Sequence, residues 1–160
     1  MKIIKTVLID IISMLFMTLF LYTGISKLMD YTVFKEQLAE SPILATVSPF
    51  IAITLPLAEI LTAVVLLLPR WRLIGLYISL ALMTMFTIYI ILILSFSNTL
   101  PCSCGGILAQ LSWPQHLVFN GIFIAMGITG IKLEKKYTDN SESGIEISES
   151  TLSNNKQLKI

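Results

Sequence analysis

The sequence predicts an all-α integral membrane protein, a four-helix bundle with a short interfacial helix between the first and second crossings. Three observations carry that prediction. Of 160 residues, 55% are hydrophobic and 13% charged, against roughly 25% charged in a soluble domain, and the mean hydropathy is +0.82. The apolar residues gather into four continuous runs, at about 7–25, 50–68, 73–96 and 114–131, close to the roughly 17 to 25 residues that cross hydrocarbon. None of the runs alternates every second residue as a membrane β-strand does, so the backbone groups are satisfied within helices.

The first run follows Lys2 and Lys5, which is also how a signal peptide begins. No A-x-A-like site follows it, Asp10 interrupts its start, and its removal would put the remaining charge clusters on inconsistent sides of the membrane. An uncleaved first helix is expected. After it, Leu28, Tyr31, Phe34 and Leu38 recur at helical spacing while Asp30, Lys35, Glu36 and Glu40 take other faces, until Ser41-Pro42 breaks the pattern. This helix is read as lying on the outer interface, either capping the bundle or docking a partner. The loops are short enough for one bundle over residues 1–136 and no second folded domain. From 137 to 160 the chain is Ser/Glu/Asn-rich and reads as a disordered cytoplasmic tail.

Orientation follows from the short basic flanks, because cytoplasmic loops retain Lys and Arg. Lys2, Lys5, Arg70, Arg72, Lys132, Lys135 and Lys136 share one side, whereas Lys27 and Lys35 stand on the other. Both termini are therefore expected in the cytoplasm of a bacterial cell, with the protein multi-pass in the inner membrane and the 97–112 segment in the periplasm. A net charge of +1 gives no indication of nucleic acid; the partner implied by composition is the lipid bilayer.

Glu59 falls near the middle of the second run, where a carboxylate costs several kcal/mol and faces the bundle interior. It belongs to a stripe with Ala52, Pro56 and Ala63 through which helices approach closely. Similar stripes hold Asp10, Ser13, Met17 and Gly24 on the first run, Gly75, Ser79 and Phe86 on the third, and His116, Asn120, Phe123, Gly127 and Gly130 on the fourth. Glu59 and Asn120 either hydrogen-bond across the bundle and fix its register or serve a proton relay or quinone pocket. Asp10 lies in an early turn, where an acid suits the positive dipole end and reaches water.

The chain's two cysteines, Cys102 and Cys104, stand in a Pro101-Cys102-Ser103-Cys104-Gly105-Gly106 turn before the fourth run. In the periplasm thiols are oxidised. Extended i, i+2 residues have Cα atoms about 7 Å apart, at the limit for a disulfide, so a bridge there needs a bend that Gly105-Gly106 eases. Such a strained bridge is readily reduced, the profile of a catalytic or relay pair rather than a staple. His116, the single histidine, starts the fourth run on the same side; an imidazolium there favours the attacking thiolate, making His116 a candidate acid/base for Cys102 or Cys104. The plainer alternatives are an interfacial polar residue for His116 and small inert residues for the cysteines.

Tyr22-Thr23-Gly24-Ile25-Ser26-Lys27-Leu28 followed by Phe34, then Pro56-Leu57-Ala58-Glu59, then the Cys-Ser-Cys-Gly-Gly turn resemble the DoxX-like membrane proteins, and within them the MauE, or methylamine utilisation, branch. The resemblance implies a four-helix inner-membrane protein associated with methylamine metabolism. In that branch it implies maturation of the disulfide-rich small subunit of methylamine dehydrogenase beside a thioredoxin-like partner. It marks Cys102 and Cys104 as the redox pair and Glu59 and Lys27 as family-typical polar positions. Gly105 departs from the C-x-C-F-G pattern expected of relatives.

The leading expectation is thus a thiol–disulfide oxidoreductase or its non-catalytic membrane accessory, exchanging with a periplasmic thioredoxin-like protein or a disulfide-containing client. A lone cysteine pair needs a quinone or another protein to complete its cycle. Two alternatives stand beside it: binding or transport of a small molecule or of Cu(I), the latter held by Cys102, Cys104 and His116, and a structural anchor for a larger oxidoreductase.

Overall fold

The computed structural model describes residues 2–41, 44–96 and 113–157. These form α1 (Lys2–Met29), α2 (Tyr31–Glu40), a 3-10 turn (Ala45–Val47), α3 (Ser48–Leu67), α4 (Arg72–Phe96) and α5 (Trp113–Gln157). Four stretches are long and apolar enough to cross a membrane: Thr6–Met29, Ala45–Leu67, Arg72–Ser95 and Pro114–Lys136. The expected all-α bundle with four crossings is what the chain forms.

Proline sets two of the boundaries. A residue that precedes proline is pushed out of the helical region, and Ser41 and Leu68, each followed by proline, end α2 and α3 with extended ψ angles of 126° and 111°. The turn from α3 to α4 is correspondingly tight. It is closed by bonds from the Leu68 N–H to the Val65 carbonyl (3.2 Å) and from the Trp71 N–H to the Leu68 carbonyl (2.9 Å).

Around the bundle the neighbours run α1, α3, α4, α5 and back to α1, with α1 packed most extensively on α3. The small-residue stripe of α3 faces inward as expected: Ala52, Pro56, Glu59 and Ala63 are all buried. Opposite it, α1 buries Ile12, Phe16 and Phe20. The Phe16 ring stacks on Phe20 at 6.1 Å and meets Phe123 of α5 edge-on at 5.2 Å. Large apolar side chains such as Met14, Phe50, Leu61, Ile88 and Val118 point outward, as they do where the solvent is lipid and apolar burial does not drive helix association. Two buried hydroxyls bond back to their own helices, Thr62 to the Ala58 carbonyl at 2.7 Å and Ser79 to the Gly75 carbonyl at 2.8 Å, which satisfies them without a partner on another helix.

The short α2 lays Phe34 and Leu38 on Ala52, Ile51 and Leu55 at the start of α3, and its Lys35, Glu36 and Glu40 are exposed. Leu28 does not share that apolar face. It belongs to the last turn of α1 and is exposed. At the C-terminal side the backbone of α5 is helical through Gln157. A helix nucleated in the membrane extends at one hydrogen bond per residue, and no proline interrupts residues 132–157.

Candidate functional site

Two buried charge clusters occupy opposite ends of the bundle. At the end where α1 begins, Arg72 of α4 bonds Asp10 of α1 and chelates Glu134 of α5, its Nη2 lying 3.1 and 3.0 Å from the two Glu134 oxygens and its Nε 3.2 Å from Oε1. The Asp10 side chain is 47% exposed. It also belongs to a three-helix clasp that the sequence did not reveal.

The other cluster is Lys27 and Glu59. Lys27 Nζ lies 2.8 Å from Oε1 and 3.1 Å from Oε2 of Glu59, with a longer contact of 3.5 Å to the Thr23 carbonyl. The residues are 7% and 1% exposed. Helix geometry brings them together. Side chains lean toward the N-terminus of their own helix, and α1 and α3 run in opposite directions, so Lys27 leans inward from the end of α1 while Glu59 leans outward toward it. Gly24 lets the two backbones close: a Cβ there would stand 2.8 Å from Ile60 Cγ1 and 3.0 Å from the Pro56 carbonyl oxygen. The Phe34 and Phe86 rings lie over the ammonium at 5.8 and 5.9 Å, a cation–π setting that softens its desolvation.

The pair forms part of the wall of a cavity of about 450 Å³, within the roughly 300–1,000 Å³ of small-molecule pockets. Phe20, Leu38, Leu55 and Ile90 line it with apolar surface, while Glu59, Lys27, His116 and Asn120 supply polar atoms. The structure thus gathers three of the five residues singled out from sequence, Glu59, Asn120 and His116, around one space. It gives Glu59 a different partner from the one considered: the Lys27 ammonium, not the Asn120 amide. The other two, Cys102 and Cys104, lie outside the described residues, and with them the contact sought between His116 and a thiol. Phe96 and Trp113, which flank their segment, lie at the end of the bundle that holds the cavity.

Lys27 is the functional candidate that periodicity and charge counting missed. It reads as an outer flanking charge, and only its place in the Tyr22 to Leu28 motif set it apart.

A family model described as methylamine utilisation protein MauE matches residues 5–133. The chain belongs to the MauE family. No curated protein and no solved structure matches it. The match spans all four crossings, so this MauE-family chain is a multi-pass membrane protein. Both the Lys27–Glu59 pair and the Cys102/Cys104 motif fall inside the matched region.

Proposed function

We propose that this MauE-family protein is an inner-membrane thiol–disulfide partner in the maturation of extracytoplasmic proteins, with Cys102 and Cys104 as the exchanging pair. The observation that carries the reading is the family match across a chain whose two cysteines form a C-x-C motif in the sequence between two crossings. A thiolate of a periplasmic thioredoxin-like protein or of a client attacks the Cys102–Cys104 disulfide, forming a mixed disulfide and releasing the other cysteine of the pair as a thiolate. A second thiol of the partner then resolves it. The partner ends as a disulfide and the pair as a dithiol, two electrons and two protons having passed to the pair. The family's description points the client toward enzymes of methylamine utilisation. His116 serves the exchange as proton donor and acceptor from the first turn of α5.

Basic residues concentrated at the Arg72 end of the bundle support a periplasmic placement of the opposite end, with both termini cytoplasmic. The test is mixed-disulfide trapping. Cys102→Ser and Cys104→Ser, expressed singly, each leave one thiol without its resolving partner; at least one should accumulate a covalent adduct sensitive to reductant, and the double variant none. If neither single variant traps an adduct, and client disulfides form equally in cells lacking the protein, the reading is wrong.

A further inference from the structure

We propose that the cavity beside Lys27 and Glu59 is a binding site for a quinone, taken up from the bilayer. The proposal deepens the preceding reading, on which it rests for its physiological purpose: a lone cysteine pair needs an acceptor outside itself, and a quinone accepts two electrons and two protons when a dithiol closes to a disulfide, leaving as quinol.

The cavity has the chemistry such a ring requires. Phe34 and Phe86 present aromatic faces within 6 Å of the Lys27 ammonium, and Phe119, in contact with Phe123 at 4.7 Å, adds a third ring to the wall. A quinone is flat and apolar across its faces, with oxygens at opposite edges. Those oxygens change character with redox state: carbonyls accept hydrogen bonds, whereas quinol hydroxyls also donate them. The polar atoms here serve both states. Asn120, 6% exposed on the cavity wall, carries an amide N–H₂ for a carbonyl. Glu59 uses its oxygens on Lys27, yet a carboxylate has about four acceptor positions and keeps capacity for a hydroxyl.

A second, independent observation points to a ligand. The Gln37 side-chain oxygen on α2 is buried and has no hydrogen-bond partner among the described residues, and Gln37 lines this same cavity. A buried acceptor left unsatisfied costs about 1–3 kcal/mol, a cost removed by a ligand hydroxyl at that edge.

Met85 both lines the cavity and is 50% exposed, within a stretch of α4 long and apolar enough to cross a membrane. One side chain thus reaches from the cavity to the outer face of the span, where a quinone with an apolar tail is dissolved.

The experiment measures binding of decylubiquinone to the full chain in nanodiscs, with Cys102→Ser/Cys104→Ser as background so that no thiol reacts with the probe. Saturable binding at one site per chain is expected. Asn120→Leu should weaken it about tenfold, the consequence of losing one buried hydrogen bond. Ala58→Phe, which puts a ring into the cavity from α3 and replaces neither member of the ion pair, should abolish it while circular dichroism and the unfolding midpoint show an intact bundle. Absence of saturable binding, undiminished binding by a folded Ala58→Phe variant, or a tightly held phospholipid that decylubiquinone does not displace would each overturn the proposal. Thiol trapping of Cys102 and Cys104 in the native membrane separates this from the relay reading. Cysteines that cycle without quinone binding remove the site and leave the relay; binding with cysteines that never cycle removes the relay and leaves the site.

Discussion

Gly24 of α1 abuts the backbone of α3 so closely that a Cβ at this position would stand 3.0 Å from the Pro56 carbonyl oxygen. The contact permits the axial approach that carries Lys27, one turn further along α1, to Glu59. Because the opposing atom is backbone, it cannot rotate aside. Gly24→Leu should therefore destabilise the bundle by about 1–3 kcal/mol or more and draw Lys27 away from Glu59. Gly121 supplies the control. A Cβ added there meets nothing within 4 Å, and Gly121→Ala should leave stability unchanged or raise it by about 0.5–1 kcal/mol through helix propensity. Reversible unfolding in bicelles reads both.

The Lys27–Glu59 pair makes a sharper prediction. Removing one member of a buried pair costs about 3–5 kcal/mol, because the other charge is left without compensation, whereas replacing both with apolar residues is often neutral. Lys27→Met and Glu59→Leu should each destabilise by about that amount, and the double variant should recover to near the wild-type value. A double variant as unstable as the sum of the singles would mean that the two residues act separately. Recovery of stability without recovery of decylubiquinone affinity would show the pair retained for its ligand rather than for the fold.

The spans were legible because hydrocarbon imposes a length and forbids unsatisfied backbone, so four apolar runs without strand alternation admit little else. The inward stripe of α3 was legible for a related reason: Ala52, Pro56 and Ala63 are too small to serve lipid contact well, and Glu59 is too polar. The partner of Glu59 was not. Lys27 lies 32 residues away, on a helix whose depth relative to α3 is set by packing at Gly24 and Pro56 rather than by any local pattern. The Arg72 clasp was hidden likewise, since Asp10 and Glu134 each stand 62 residues from it and flank their helices as ordinary surface charges do.

That clasp should divide unequally between its two acids. The Glu134 side chain is 8% exposed and bonded by two nitrogens of the guanidinium, whereas Asp10 is 47% exposed. Asp10→Asn should cost less than about 1 kcal/mol, as a surface pair does. Arg72→Leu takes the guanidinium away from a Glu134 side chain that is 8% exposed and should cost about 2–3 kcal/mol. Arg72→Leu/Glu134→Leu should regain most of that loss. Equal effects of Asp10→Asn and Arg72→Leu on the unfolding midpoint would mean that exposure does not govern the clasp.

The same clasp gives the sidedness of the cysteine turn a direct test. Arg72 opens α4 and Glu134 stands far along α5, so their pairing aligns the first turn of α4 with a late turn of α5. Phe96 and Trp113, the helix ends on either side of residues 97–112, accordingly lie at the other end of the bundle. Arg70, Arg72, Lys132, Lys135 and Lys136 all mark the Arg72 end, which the basic-flank rule assigns to the cytoplasm. In intact spheroplasts, after mild reduction, a membrane-impermeant maleimide should label Cys102 and Cys104. A cysteine placed by Lys135→Cys in the Cys102→Ser/Cys104→Ser background should react only once the membrane is opened. The reverse pattern would put the cysteine pair in a reducing cytosol, where a standing disulfide does not persist, and the proposed exchange with periplasmic partners would have no substrate on its side of the membrane.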